Sequence, residues 1–362
     1  MKYNAISLFT GAGGMDVGFT TAGFNVIWAN EFVKHAAETY KLNHPNSEIV
    51  VGDINANIDK VPNKDVDCVF GGPPCQGFSV AGKMDINDPR SQLVFSFLTV
   101  VKKTSPKCFV LENVKALAKL EKFEAIRQEL FKRADELGYT ADFFLLNAKN
   151  FGVPQSRERV FFIGFKKNLK RKMSYEHLQS KMQDEVTVKE IFNKLGKAGT
   201  DLNPLTCKAK ITIAEKPILR KSPYAGMLFN GMGRPVKLDG VSNTLPASMG
   251  GNKTPVIDEG FLFDGKENWI EKYHQSVFYD KETPKFGDAP SQLRRLTIKE
   301  AALIQTFPEN YQFSGPISAQ YTQIGNAVPC KLAEAVAKSV LEVLEGKVNK
   351  NKPVQNSLQF TD

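Results

Sequence analysis

The chain has 362 residues, of which 42% are hydrophobic and 24% are charged, and its formal net charge is +9. This length suits about two domains of roughly 150 residues each. No apolar run reaches the roughly 18 residues that a membrane-spanning helix needs. The first residues, MKYNAISLFTGAGG, do not form a signal peptide, because glycines interrupt their apolar stretch too early. The five cysteines form no CxxC pair, which argues against a disulfide framework and a structural zinc site and favours a reducing, cytoplasmic setting.

Seven short apolar runs in the first 165 residues predict β-strands. They are Ala5–Phe9, Asn25–Ala29, Glu48–Val51, Val66–Phe70, Cys108–Leu111, Phe143–Leu146 and Val160–Phe165. Helical patterns lie between several of them, at Thr20–Ala22, Phe32–Tyr40, Gln92–Lys103 and Phe123–Leu137. The succession of strand, helix and strand predicts an α/β fold with a doubly wound sheet.

The pattern changes after Phe165, where many Gly, Pro, Asn and Thr residues replace clear periods. We expect a first domain at 1–169 and a smaller, irregular domain at 170–290. A helical signal returns at Leu296, where Thr297 and Glu300 form a capping box. A last helix is expected over Pro329–Leu344, so that 291–345 forms a C-terminal segment and 346–362 a disordered polar tail.

The excess positive charge lies in one part of the chain. Residues 166–295 hold 23 Lys and Arg against 15 Asp and Glu, whereas the rest holds 25 against 24. Such an excess suits a polyanionic partner, although a solvated basic face explains it equally well on charge alone.

Glycines and acids follow the first three predicted strands, where ligands of open α/β sheets bind. Gly11, Gly13 and Gly14 form a loop that allows close backbone approach, although a structural glycine turn is an equal reading. Glu31 lies 20 residues beyond Gly11, an interval that suits ribose hydroxyls, and Asp53 follows the third strand. Each acid alone suits a solvated loop, but together they suggest a nucleoside-bearing cofactor.

The next strand ends carry groups suited to catalysis. Cys75 lies in GGPPCQGFS, a loop in which a nucleophile can be presented. Glu112 leaves an apolar strand in LENV, and burial would raise its pKa and let it carry a proton near neutrality. Arg157 and Arg159 in QSRER would share one face of a strand, with surface salt bridges to Glu158 as the alternative.

These motifs resemble those of the DNA (cytosine-5) methyltransferases of the prokaryotic and phage restriction-modification type. The matches run in the family's order over residues 6 to 329 and comprise FTGAGGMDVGF, ANE, GDI, GGPPCQGFS, LENV, QSRERVFFIGF, RRLTIKEAALIQTFP and QIGNAVP. The resemblance implies a Rossmann-like catalytic domain that binds S-adenosylmethionine, a target-recognition domain at 170–290, and a C-terminal segment that returns to the catalytic domain.

The resemblance also implies roles for individual residues. Cys75 would be the thiolate that adds to carbon 6 of cytosine, Glu112 would bind the ring nitrogen N3, and Arg159 would bind the carbonyl oxygen with support from Arg157. Phe32 would stack on the adenine of the cofactor. The implied cofactor contacts are Phe9, Gly11, Gly14, Glu31, Phe32, Asp53, Ile54, Pro74, Leu93, Asn326 and Ala327. No metal is required, and the four histidines are scattered along the chain.

The implied partner is double-stranded DNA, with no membrane contact and with the chain acting as a monomer. The target cytosine must be flipped out of the duplex. From the loop after Cys75, the candidate DNA contacts are Gln76, Ser79, Lys83 and Arg90. From the irregular domain they are Arg234, Lys237, Asn252 and Lys253, with Arg220, Lys221, Asn243 and Thr244 as further candidates. A restriction endonuclease that acts separately is the expected counterpart, and an orphan enzyme is the alternative.

Three other functions compete with this interpretation. The tRNA-modifying branch of the family shares the fold, but its loop usually reads PPCQPFT and it carries a CFT tripeptide, whereas this chain has PPCQGFS and no CFT. A nucleotide-dependent dehydrogenase would leave Cys75, LENV and QSRER without a role. A non-enzymatic nucleic-acid-binding module would not need an intact catalytic loop.

Overall fold

The computed structural model describes residues 3–74 and 92–347. Its strands are β1 (Tyr3–Leu8), β2 (Phe24–Glu31), β3 (Glu48–Val51), β4 (Cys68–Gly71), β5 (Cys108–Val114), β6 (Tyr139–Asn147), β7 (Gln155–Ser156), β8 (Glu158–Lys166), β9 (Thr212–Ile218), β10 (Met227–Phe229), β11 (Ser242–Asn243), β12 (Val256–Asp258), β13 (Gly287–Asp288) and β14 (Leu293–Arg295). Its helices are α1 (Gly14–Ala22), α2 (Lys34–Asn43), α3 (Gln92–Thr104), α4 (Lys115–Lys119), α5 (Glu124–Glu136), α6 (Tyr175–Gln179), α7 (Val188–Leu195), α8 (Glu259–Phe263), α9 (Trp269–His274), α10 (Ile298–Ile304), α11 (Ile317–Asn326) and α12 (Cys330–Glu345).

The central sheet has seven strands in the order β3-β2-β1-β4-β5-β8-β6. All seven predicted apolar runs lie in it, which confirms the predicted strands and the doubly wound α/β fold. The strands from β3 to β5 are parallel, whereas β8 is antiparallel to both of its neighbours. The chain runs outward from β1 to β3 and then returns to β4 beside β1. This reversal opens a crevice at the carboxyl ends of β1 and β4, which is where such sheets bind ligands.

Helices cover both faces of this sheet, because successive side chains of a strand point to opposite faces. On one face, Ala5 and Phe70 pack against Phe19 of α1 and Leu332 of α12. The ring of Phe19 stacks on that of Phe70 with a centroid distance of 3.9 Å. The opposite face packs against α3 and α5. Burial on both faces explains why these strands are continuous apolar runs in the sequence.

Most predicted helices are present, with one difference that matters for function. The second predicted helix was expected from Phe32, but α2 begins at Lys34 because Val33 has an extended backbone. Phe32 is therefore outside the helix. The capping box is confirmed, since Thr297 N donates to Oε2 of Glu300 at 2.9 Å and Glu300 N donates to the Thr297 hydroxyl at 3.1 Å.

The predicted irregular region contains small sheets and short helices. Strands β10, β9 and β13 form a three-stranded antiparallel sheet over a hydrophobic cluster that includes Leu228, Phe229 and Ile270. A second cluster joins α7 to α10 and α11 of the C-terminal segment. The first residues of the region pack elsewhere, since Met173 and Leu178 belong to the cluster beside α12. Within the described residues, no helix is long and apolar enough to cross a membrane.

Candidate active site

The glycine loop after β1 lies against the acid at the end of β2. The loop turns through left-handed backbone at Phe9 (φ 53°), Gly11 (φ 56°) and Gly13 (φ 83°). The backbone N–H of Gly11 donates to Oε2 of Glu31 at 2.7 Å, and that of Val33 donates to Oε1 at 2.8 Å. Glu31 is buried, and burial raises its pKa despite these hydrogen bonds. The structure thus brings together two features that are 20 residues apart in the sequence.

Three residues beside this loop differ sharply in exposure. Phe32 is 72% exposed directly after β2. Asp53 is exposed and accepts a hydrogen bond from Asn55 N at 2.9 Å. The side chain of Ile54 is buried among the residues that pack below the sheet. Ile54 is only 1% exposed as a whole residue, and its carbonyl oxygen accepts from Asn57 N at 3.1 Å, so the structure leaves little of it open to a ligand.

The C-terminal segment returns to the glycine loop. A Cβ atom added to Gly14 would lie 2.6 Å from the carbonyl oxygen of Val328 and 3.2 Å from Cβ of Ala327. Asn326 is exposed next to this contact.

Two other predicted cofactor contacts, Pro74 and Leu93, flank the part of the chain that the structure does not describe. Pro74 precedes it, and Leu93 of α3 packs partly buried under the sheet.

Glu112 and Arg159 form a buried ion pair on neighbouring strands. Nε of Arg159 on β8 lies 3.0 Å from Oε1 of Glu112 on β5, and the two side chains are 15% and 10% exposed. The other carboxyl oxygen faces Gly72, where a Cβ atom would lie 2.7 Å from Oε2. Burial raises the pKa of Glu112, and the charges of Arg159 and Arg157 oppose that rise. This carboxyl group can therefore hold a proton at a higher pH than an exposed glutamate.

The residue after Glu112 fixes the loop that leads towards Cys75. Nδ2 of Asn113 donates to the carbonyl oxygen of Pro73 at 3.1 Å. Cys75, Gln76, Ser79, Lys83 and Arg90 lie outside the described residues. The structure does place Gly72 and Pro73 beside Glu112, so the loop that carries the cysteine begins at this site.

Arg157 departs from the sequence expectation. It lies between β7 and β8, outside both strands, and it does not join Arg159 in the ion pair with Glu112. Its buried guanidinium donates to the carbonyl oxygens of Leu245, at 3.1 Å, and Gly325, at 2.9 Å. Burial and the nearby charge of Arg159 lower the pKa of Arg157 to about 9. The alternative of a surface salt bridge with Glu158 is also wrong, since Glu158 pairs with Lys115 at 2.9 Å.

Gln155 in the same motif has a connecting role that the sequence did not reveal. Its side chain accepts from Leu245 N at 3.2 Å and donates to Oε1 of Gln305 at 3.0 Å. Gln305 in turn donates to the carbonyl oxygens of Ile324 and Ala327. These bonds tie the irregular region, the short strand β7 that precedes β8, and the C-terminal segment together at one place.

Asp16 is a second functional residue that sequence reasoning missed. It is fully buried and accepts hydrogen bonds from the hydroxyls of Ser7 (3.0 Å), Thr10 (2.6 Å) and Tyr40 (3.0 Å). Burial raises the pKa of Asp16, although these hydrogen bonds and the charge of His44 act to lower it. The network joins β1, the glycine loop and α2. The only sequence signal for Asp16 was its position as an acid in the first turn of the helix that follows the glycine loop.

The basic residues of the irregular region separate into engaged and available groups. In the cluster at 166–172, Lys167 pairs with Asp135 at 2.6 Å and Lys172 with Asp142 at 3.5 Å. The five cationic candidate DNA contacts of the region are exposed and have no ion pair with a carboxylate of the described chain: Arg220, Lys221, Arg234, Lys237 and Lys253. Asn243, Thr244 and Asn252 are exposed as well. Other lysines of the region share this state, so the available positive charge is spread over the region and includes these five: Lys170, Lys194, Lys208, Lys216, Lys266, Lys281 and Lys285.

A family model, that of the C-5 cytosine-specific DNA methylases, matches residues 3–342. The chain is 33% identical to the Type II methyltransferase M.NgoPII of Neisseria gonorrhoeae over 94% of its own length and 96% of that protein. It is also 33% identical to M.FnuDI of Fusobacterium nucleatum, with coverages of 98% and 99%.

Solved structures give the same fold. A protein described as a DNA modification methyltransferase encoded within an Escherichia coli prophage superposes with a TM-score of 0.67 at 25% identity, covering 95% of this chain and all of that one. The Dnmt2 methyltransferase of S. pombe superposes with a TM-score of 0.64 at 19% identity, covering 95% and 99%. This second likeness concerns the fold alone.

Proposed function

Since the chain belongs to the C-5 cytosine-specific DNA methylase family, we propose that it transfers a methyl group from S-adenosylmethionine to carbon 5 of a flipped-out cytosine in a short, specific sequence of double-stranded DNA. The chain is a DNA cytosine-5 methyltransferase of the Type II restriction-modification kind. The observation that carries the finer proposal is the buried pair of Glu112 and Arg159 beside Gly72, at the start of the loop that holds Cys75.

Carbon 5 of cytosine is a poor nucleophile, so the ring must first gain electrons. In the proposed reaction the thiolate of Cys75 would form a bond to carbon 6, and carbon 5 would then form a bond to the methyl group. The bond from that methyl group to the sulfonium sulfur would break, its electron pair would stay on sulfur, and the neutral thioether would leave. The proton on carbon 5 is removed by a base, the electron pair returns to the ring, and the bond to Cys75 breaks. Cys75 leaves unchanged, so that atoms and charge balance.

Glu112 and Arg159 are suited to hold cytosine during this reaction. A protonated Glu112 can donate to N3 while its other oxygen accepts from the exocyclic amino group, a pair of contacts that thymine does not offer. Arg159 can donate to the carbonyl oxygen of the ring. Negative charge that develops at N3 would meet a proton donor and a cation in a buried site, where such interactions are strong.

The crevice between β1 and β4 fits the proposed methyl donor. When bound, S-adenosylmethionine supplies the electrophilic methyl group on its sulfonium. Glu31 has the position and buried carboxylate for the ribose hydroxyls, and the exposed ring of Phe32 offers a stacking surface for adenine. Asp53, also exposed, can accept from the adenine amino group. The backbone around Gly11, Asn326 and Ala327 would complete the pocket.

The exposed cations from 220 to 253 support duplex DNA as the partner of the region that we propose for target recognition. Methylation of tRNA is not favoured, because the family model and the full-length relatives are DNA methylases. A separate restriction endonuclease with the same target and a monomeric state are the accompanying proposals.

The covalent step is tested with purified protein, S-adenosylmethionine and duplex DNA. Cys75→Ser should abolish methyl transfer while duplex binding remains. Target DNA with 5-fluorocytosine has no proton at carbon 5 to lose, so the unaltered protein should stay covalently attached to it. Normal turnover by the serine variant, or no covalent complex on a DNA that is otherwise methylated, would refute the assignment of Cys75.

A further inference from the structure

Two exposed loops of the irregular region lie directly against each other. We call residues 230–234 and 251–254 the paired loops. Gly233 N donates to the carbonyl oxygen of Asn252 at 3.2 Å. A Cβ atom at Gly231 would lie 2.2 Å from that oxygen, and one at Gly233 would lie 2.1 Å from the carbonyl oxygen of Thr254. The two backbones are thus in contact, and only glycine fits at both positions of the first loop.

The buried guanidinium of Arg295 holds the paired loops together. Arg295 is 1% exposed; its Nη1 donates to the carbonyl oxygens of Thr254, at 2.7 Å, and Asn252, at 3.3 Å. Its Nη2 lies 3.4 Å from the carbonyl oxygen and 3.3 Å from Oδ1 of Asn230. One planar group therefore reaches both loops at once.

The surroundings of Arg295 are unusual for a buried cation. Buried arginines are normally paired with a carboxylate, yet none in the described chain pairs with this one. Carbonyl oxygens of the paired loops replace the counter-ion, and burial lowers the pKa of the guanidinium. A charged guanidinium is thus buried at this place without a carboxylate, and its hydrogen bonds fix the paired loops in one arrangement.

The side chains that the paired loops display match the chemistry of DNA bases and phosphates. Met232, Arg234, Asn252 and Lys253 are all exposed. A guanidinium suits the O6 and N7 acceptors of guanine, and an amide suits the donor and acceptor of adenine in the major groove. An ammonium suits the phosphate backbone.

We propose that Arg295 is a positioning residue for sequence recognition, which fixes the paired loops so that Arg234 and Asn252 read base edges of the target. The inference rests on the proposed function. It assigns specificity to a defined part of the irregular region and to a residue that belongs to the C-terminal segment.

The neighbouring arginine provides a matched control. Arg294 is also largely buried, but its guanidinium binds both oxygens of Glu300, at 2.6 and 2.8 Å, and one oxygen of Glu259, at 2.8 Å. It holds the start of α10, and within the described chain it forms no hydrogen bond or ion pair with the paired loops. Arg294→Lys should therefore weaken the fold without changing which DNA sequence is methylated.

The test compares Arg295→Lys with Arg294→Lys and the unaltered protein on the target duplex and on duplexes with single base-pair changes. A single ammonium cannot reach both loops, so Arg295→Lys should raise the KM for DNA and lower the preference for the target, each by about ten-fold, within the range of one base-pair mismatch. The kcat at saturating DNA and the affinity for S-adenosylmethionine should not change. An unchanged preference, or the same loss in Arg294→Lys, would overturn the proposal.

Exposed variants keep the proposal testable if Arg295→Lys does not fold. Arg234→Ala and Asn252→Ala alter only surface side chains, and each should reduce discrimination at one base pair. Full discrimination in both would overturn the assignment of the paired loops. Failure of the proposed function itself is distinct, because the unaltered protein would then methylate no duplex at all.

Discussion

At the scale of single residues, the site depends on polar groups that are buried with their partners. Glu112 is the clearest case, since burial raises its pKa while Arg159, 3.0 Å away, favours the charged form. Burial is the larger effect. A glutamate whose pKa is raised by burial, beside a cation, suits the binding of a base that gains negative charge during the reaction.

Glu112→Gln should lower kcat by roughly a hundred-fold or more, because an amide can pair with cytosine but cannot deliver a proton. Since the pKa of Glu112 is raised, the rate of the unaltered protein should fall as the pH rises through that pKa. The glutamine variant should lose this dependence. The measurements are kcat as a function of pH and the affinity for S-adenosylmethionine. The affinity should be the same in the variant and the unaltered protein. Glu158→Gln, on β8 and half exposed, is the control. A collapse of cofactor binding would place Glu112 in the other pocket.

Tyr40→Phe should lower the free energy of unfolding by about 1–3 kcal/mol, because it removes a hydroxyl that donates to the buried carboxylate of Asp16. The loss should weaken S-adenosylmethionine binding too, since Asp16 also holds Thr10 at the glycine loop. Urea unfolding and cofactor titration measure both effects. The control is Tyr279→Phe, which is 52% exposed. Equal stability of the two variants would show that the Asp16 network does not support the loop.

At the scale of elements, α1 and α12 pack together on one face of the central sheet, next to the proposed cofactor pocket. A Cβ atom at Gly18 would lie 2.4 Å from Glu334 N and 2.6 Å from the carbonyl oxygen of Cys330. The helices are packed too closely for any side chain there. Because α1 starts after the glycine loop and α12 follows Ala327, this contact sets the distance between two parts of the cofactor pocket.

Gly18→Ala should therefore destabilise the protein by about 2 kcal/mol, since overpacking costs up to about 3 kcal/mol and the better helix propensity of alanine returns about 1. Cofactor affinity should fall with it, because the helices must separate. Thermal unfolding and cofactor titration measure the two effects, with the exposed Thr20→Ala on the same helix as control. Undiminished affinity would mean that the spacing of α1 and α12 does not shape the pocket.

Elements of the sheet could be predicted from the sequence, but the contacts between distant segments could not. Burial on both faces makes each strand an apolar run, which is a local signal. The partners of Arg157 are 88 and 168 residues away, and those of Arg295 are up to 65 residues away. No local pattern distinguishes such an arginine from a surface or catalytic one. The site residues next to strand ends were predictable because a strand end has a known place in the sheet.

At the scale of the whole molecule, the positive charge is concentrated on one region, but only part of it is available. Asp135 of α5 and Asp142 of β6 form ion pairs with lysines of the cluster at 166–172. The exposed cations from 220 to 253 have no such partners in the described chain. Net charge read from the sequence therefore located the excess but did not separate paired cations from unpaired ones.

Exchange of residues 186–290 for those of a relative should transfer the relative's target sequence. The exchange should leave out 170–185, because Met173 and Leu178 belong to the core beside α12. Sequencing of methylated cytosines after expression of the hybrid gives the result, and exchange of α5 is the control that should leave the target unchanged. A hybrid that methylates the original target would place recognition outside the exchanged residues.

The central claim is that this chain methylates carbon 5 of cytosine at one short DNA sequence. The most direct test is to express it in a host that lacks cytosine methylation and to sequence the host DNA by a method that detects 5-methylcytosine. We predict 5-methylcytosine confined to a single short motif, and none with Cys75→Ser. Unmethylated DNA in cells that contain folded protein able to bind S-adenosylmethionine would contradict the claim, and tRNA would then be the substrate to assay.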